Sequence, residues 1–199
     1  TIEVRDEKFY FNVKPYFIRG ANMPPHGLVP NDRAVARKFF QYMRDGNEFA
    51  LRAVCSPLPE VWLEEADKAG IMVSLEGTWP WMMFGDKPIP DDGLIESWRR
   101  EMRDLVHYLR NHPSIFMWTM NNEMYFWGAG YESKEESERL KKWKIMSSMI
   151  GEMRAMDPTR IICMDSGYRP NTKVLDFVKE NGLDDGDVCD PHFYFGYGA

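Results

Sequence analysis

The stretch Ser114-Ile-Phe-Met-Trp118-Thr-Met-Asn121-Asn122-Glu123 reads as a short apolar strand that runs directly into an Asn-Asn-Glu tail. A brief apolar run bounded by Pro113 and polar residues is the signature of a buried strand. The same pattern recurs on either side of it. Tyr16–Gly20 predicts a strand followed by Asn22, and Phe49–Val54 a strand that carries Arg52. Ile71–Leu75 is followed by Glu76, Arg160–Met164 by Asp165, and Val188–His192 ends on His192 with Tyr194 beyond. Polar residues thus collect at the C-terminal ends of the strands.

Helices are predicted between these strands. Asn31 or Asp32 can cap a helix over Arg33–Arg44, and Gly46 stops it. Pro59 suits the first turn of a helix that runs through Lys68 and ends at Gly70. Leu94, Trp98, Met102, Leu105 and Leu109 recur every three or four residues, marking a helix that ends near Asn111. Ser133 with Glu136 reads as a capping box. Leu140, Trp143, Met146, Ile150 and Met153 form the apolar stripe that follows, closed off by Pro158. The charged run Lys134–Lys144 reads as a solvated helix face, and Thr172–Glu180 as a short helix ending at Gly182. A hairpin-like stretch, Ile2–Phe11, precedes the first strand, and a long loop spans Glu76–Gly93.

Alternating strands and helices imply parallel βαβ units in an α/β fold. An open doubly wound sheet and a (β/α)8 barrel compete. No Gly-x-Gly-x-x-Gly follows the first strand, which weakens the dinucleotide-binding form of the open sheet. Polar residues at successive strand ends favour the TIM barrel, whose site is built on that face. Six strands are expected where closure takes eight, so the barrel is incomplete. Residues 1–199 then form the N-terminal three-quarters of one barrel domain.

Composition narrows the function. The chain has 199 residues, 44% hydrophobic and 28% charged, which excludes disorder, collagen and coiled coil. No apolar run approaches the ~20 residues of a membrane helix. A net charge of −6 argues against nucleic acid as a partner. Aromatics reach 14%, with seven Trp, and an indole face can stack on a sugar. Cys55, Cys163 and Cys189 form no Cys-x-x-Cys pair. The chain begins at Thr1 without Met or signal peptide, so it reads as an excised piece whose compartment is not legible.

Glu123 carries the sharpest chemistry. A carboxyl set against aromatics loses hydration, which raises its pKa toward that of a general acid; the plain alternative is a solvated strand end. The amide of Asn122 can hold a sugar hydroxyl. Arg52 is either a site residue or an internal ion pair with Glu76. His192 ends the sixth predicted strand, where the plain reading is a satisfied core histidine. Trp79 and Trp81 flank Pro80 in the long loop, as sugar platforms or as packing over the rim. Trp118 is expected at the floor of the site.

Several stretches carry a family resemblance. They are Phe17-Ile-Arg-Gly-Ala-Asn22, Phe49-Ala-Leu-Arg52, Trp62 to Glu76, Arg110-Asn-His-Pro113-Ser-Ile, and Trp118 to Glu123. Together they resemble the catalytic barrel of glycoside hydrolase family 2, the β-galactosidase, β-glucuronidase and β-mannosidase family. The resemblance implies that Glu123 is the general acid/base of a retaining glycosidase and that Asn122 binds the sugar 2-hydroxyl. It implies that Arg52 stabilises the nucleophilic carboxylate and that His192, Tyr194 and His26 contact sugar. Gly20-Ala-Asn22, then Pro24, and the doubled Asn before Glu123 look most like the β-mannosidase branch.

The resemblance further implies a nucleophilic Glu on the seventh strand, beyond residue 199, flanking β-sandwich domains in the full-length protein, and no metal or organic cofactor. Alone, the chain is expected to turn over little substrate and to self-associate through its open strand edges. Two other readings stand beside it. One is a carbohydrate-binding barrel without catalysis. The other is a metal-dependent barrel hydrolase, for which four His and no His-Glu-x-x-His supply few ligands.

Overall fold

The structure, a computed structural model, describes residues 2–22, 24–79, 81–127 and 135–193. Five strands form a wholly parallel sheet in chain order: β4 (Gly20–Asn22), β5 (Ala50–Ala53), β6 (Met72–Glu76), β7 (Ile115–Thr119) and β8 (Ile161–Cys163). Before them, β1 (Ile2–Arg5), β2 (Lys8–Phe11) and β3 (Lys14–Pro15) make an antiparallel meander. Helices α1 (Arg33–Asp45), α2 (Glu60–Ala69), α3 (Asp92–Leu109) and α4 (Glu136–Met156) cross between successive parallel strands, and α5 (Thr172–Glu180) follows β8. This is part of a (β/α)8 barrel.

Local chemistry sets the helix ends. Asp32 Oδ1 accepts the Ala34 and Val35 N–H groups at 3.0 Å, satisfying donors that the first turn of α1 leaves orphaned. Gly70 closes α2 in the left-handed region, φ 68°. Helix α4 begins two residues after the expected capping box would start it, with Glu135 at the cap and no side-chain cap bond. Ser133 lies outside the described residues.

Two apolar layers sandwich the sheet. Outward-facing Leu51, Val73, Leu75 and Ile162 pack with Phe40, Trp62, Trp98 and Trp143 from the helices. Inward-facing Ala50, Met72, Phe116, Met117 and Ile161 pack against Val4, Phe9, Tyr16 and Ile18, so the meander covers the inner face at the strand N-termini. The C-terminal ends stay clear for polar groups.

Four expectations change. The first parallel strand is Gly20–Asn22, not Tyr16–Gly20. Tyr16 N–H instead donates to Phe9 O, which extends the meander, and only Gly fits at position 20, where a Cβ would lie 2.0 Å from Ala50 O. The sixth strand is not a ladder. Ile162, whose peptide groups would pair with it, is taken by Asp187: its N–H donates to the Asp187 carboxylate at 2.7 Å and its C=O accepts the Asp187 N–H at 2.8 Å. Only single bridges remain, including Ser166 with Asp190. Trp118 faces the helices, because the register between β6 and β7 slips between Val73 and Ser74 and leaves Phe116 without a partner. Phe116 and Met117 then both face inward and Trp118 turns out, its Nε1–H donating to Asp157 at 3.0 Å. Lys142 is fully buried rather than solvated, and its ammonium donates to Gly85 O and Lys87 O, tying α4 to the long loop.

Candidate active site

The loops after β7 and β8 are zipped together. Met120 N–H donates to Cys163 O, Ser166 N–H to Asn121 O, and Glu123 N–H to Ser166 O. This lattice holds Glu123 in the left-handed region, φ 52°, a conformation that needs support from its surroundings. Gly167 lies so near that a Cβ there would come within 3.2 Å of Glu123 Cγ. Asp165, fully buried, accepts Met124 N–H and the indole N–H of Trp127 at 3.0 Å, fixing the chain just beyond Glu123.

On the other side, Arg52 bridges two groups. Its Nε donates to Glu76 and its Nη2 to Asn122 Oδ1, each at 2.5 Å. Glu76 also accepts Cys55 N–H, so both carboxylate oxygens are engaged. Burial pushes the Glu76 carboxyl up, with the Arg52 charge pulling against it. Because the Asn122 carbonyl is taken by Arg52, its amide N–H2 is the group left to donate. The Glu123 carboxylate meets His192 Nδ1 at 2.7 Å, and both side chains keep partial solvent access.

Arg52, Asn122, Glu123 and His192 are therefore brought together. Three other candidates are tied to neighbours of their own. His26 has both ring nitrogens engaged, by Pro24 O and Ser56 Oγ at 2.9 Å. Trp79 is pinned to α3 through Glu101. Trp118 belongs to the outer layer. Trp81 is half-exposed, its N–H held by Asn121 Oδ1 at 3.0 Å. Tyr194 lies outside the described residues. Ser166 and Asp190 also reach the site, and sequence reasoning missed both; the available signal was their place beside Asp165 and His192 at strand ends. Among the described residues, no group of three or more His, Cys, Asp or Glu is arranged to hold a metal ion.

Polar groups at the C-terminal ends of parallel strands are the arrangement of a barrel active site. The description "Glycosyl hydrolases family 2, TIM barrel domain" matches residues 2–181. The chain belongs to glycosyl hydrolase family 2. Its similarity to β-mannosidase B of Thermothelomyces thermophilus is 32% identity over 82% of this chain and 20% of that protein. To β-galactosidase 2 of Enterobacter cloacae it is 26% over 89% of this chain and 16% of that one. The chain thus spans about a fifth or less of the length of these two relatives. The β-glucuronidase of Parabacteroides merdae shares the fold at TM-score 0.75, with 21% identity over 99% of this chain and 22% of that chain.

The Asp165 carboxyl carries a pH prediction. Burial pushes it up to about 8, against the pull of the Trp127 and Met124 N–H groups. An unfolded Asp titrates near ~3.9. Between those values the folded chain keeps a proton that the unfolded chain has lost. Stability from this group is therefore complete below the unfolded value, falls as pH rises through the window, and is gone above about 8. Asp165→Asn is expected to flatten the stability–pH curve by up to ~1.4 kcal/mol per pH unit within that window. Urea denaturation at a series of pH values reads it, and parallel curves for the two proteins would refute it.

Proposed function

We propose that the chain supplies the acid/base side of a retaining exo-β-glycosidase. The supporting observation is Glu123 set beyond a strand end against His192, beside Asn122, whose amide oxygen is held by Arg52. Glu123 donates its proton to the glycosidic oxygen as the C–O bond breaks. A second carboxylate attacks the anomeric carbon and forms a glycosyl ester; Glu123 then takes a proton from the water that hydrolyses it. That nucleophile is a Glu beyond residue 199. Glu76 is unsuited, since it ends the third parallel strand and the resemblance places the nucleophile on the seventh. Asn122 N–H2 holds the 2-hydroxyl, and His192 lines the sugar. The substrate class is a β-linked hexoside, β-mannosides first, as the resemblance of Gly20-Ala-Asn22 and Asn121-Asn122-Glu123 suggests.

The test assays the full-length protein on aryl β-mannoside, β-galactoside and β-glucuronide and follows the product anomer by NMR. Turnover with retention is expected, with little or none from residues 1–199 alone. An inverted product overturns the mechanism. Saturable sugar binding without turnover favours a carbohydrate-binding barrel. Robust turnover by residues 1–199 would place the nucleophile inside this chain.

A further inference from the structure

A continuous chain of hydrogen bonds leads away from Glu123. Its Oε1 meets His192 Nδ1 at 2.7 Å, and His192 Nε2 meets Ser166 Oγ at 3.0 Å. Ser166 Oγ donates to Asp190 Oδ2 at 2.5 Å. Ser166 is fully buried, so its one hydroxyl hydrogen has a fixed destination. A carboxylate can only accept, so that hydrogen goes to Asp190. Ser166 Oγ must then accept from the ring, which puts a hydrogen on Nε2.

We propose that Ser166 and Asp190 are positioning residues that hold His192 as its Nε2–H tautomer, leaving Nδ1 to accept the carboxyl proton of Glu123. The inference rests on Glu123 being the general acid and adds what keeps that acid loaded. A bare Nδ1 favours the protonated carboxyl. The opposite tautomer would donate to the carboxylate and favour its charged form. The proton stays on the Glu123 carboxyl, hydrogen-bonded to His192 Nδ1, until it passes to the glycosidic oxygen, and no further reactant is needed. An isolated parallel bridge also pairs Ser166 with Asp190. The other titratable groups around the pair are Arg52, Cys55 and Glu76 from the β5 and β6 ends and Asp165 from the β8 end. None of them hydrogen-bonds His192 among the bonds described.

Neutron diffraction from the full-length protein locates the ring hydrogens independently of activity. A deuteron on Nε2 and none on Nδ1 is expected; a deuteron on Nδ1, with or without one on Nε2, overturns the proposal. Asp190→Ala frees the Ser166 hydroxyl to donate to Nε2, so the deuteron should move to Nδ1. The alkaline limb of kcat/KM should then fall about one pH unit lower. Asp190→Asn keeps an acceptor and should return the limb to its wild-type position. Deuterons and limb unmoved in Asp190→Ala overturn the role of the dyad. Absent turnover on every glycoside would sink the glycosidase reading instead, while the deuteron positions still decide the tautomer.

Discussion

Glu123→Gln in the full-length protein is expected to lower kcat/KM on alkyl β-glycosides by ~10²–10⁴-fold, the usual worth of a positioned general acid. The amide keeps the size of the side chain and can still donate a hydrogen bond. It cannot give up a proton to the departing oxygen. The loss should therefore shrink on aryl glycosides whose leaving group needs no proton. Stability should change little, because the carboxyl is partly solvated and its ring contact can be kept by an amide N–H or C=O. Steady-state rates on one alkyl and one nitrophenyl substrate check this. An equal loss on both would mean that Glu123 does something other than protonate the leaving group.

Arg52→Met is expected to cost ~3–5 kcal/mol of stability, the range for stripping one partner from a buried ion pair. Glu76 is 1% exposed and would keep only the Cys55 N–H. The stem of Met fills the space of the Arg stem, so the loss reports charge rather than a void. Burial already pushes the Glu76 carboxyl up, and removing the cation pushes it further. The folded variant then gains from binding a proton, so its deficit should narrow on acidification. Adding Glu76→Gln should recover part of the loss, since the orphaned charge is gone. Asn122 would also lose the donor that orients its amide, and kcat/KM should fall alongside. Denaturant titration of both single variants and the double variant decides it: a deficit that ignores pH and Glu76→Gln contradicts this account.

Much of the candidate site was legible because its residues sit at the ends of readable strands. Arg52, Asn122 and Glu123 all end or follow apolar runs, and the five parallel strands lie in chain order. Trp118 shows where alternation fails. One slipped residue at Phe116 reverses every later side chain on the strand, and no residue in the run announces the slip. The partners of His26 and Trp79, Ser56 and Glu101, lie 30 and 22 positions away in sequence, beyond the reach of local pattern. Lys142 looked solvated because its neighbours are charged, whereas its ammonium reaches the carbonyls of a loop 55 to 57 residues distant.

By itself the sequence determined the elements and their order: apolar runs of strand length, helical stripes, the caps at Asp32 and Gly70, and a carboxyl at the end of the β7 strand. These depend on neighbours within a turn or two, where periodicity and backbone chemistry act. Tertiary structure alone decided which face Trp118 takes, that Asp187 displaces a sixth ladder, and that Ser166 and Asp190 reach His192. Those outcomes depend on register and on partners far apart in the chain, and a hydrogen bond is set by the distance between atoms, not by the spacing of letters.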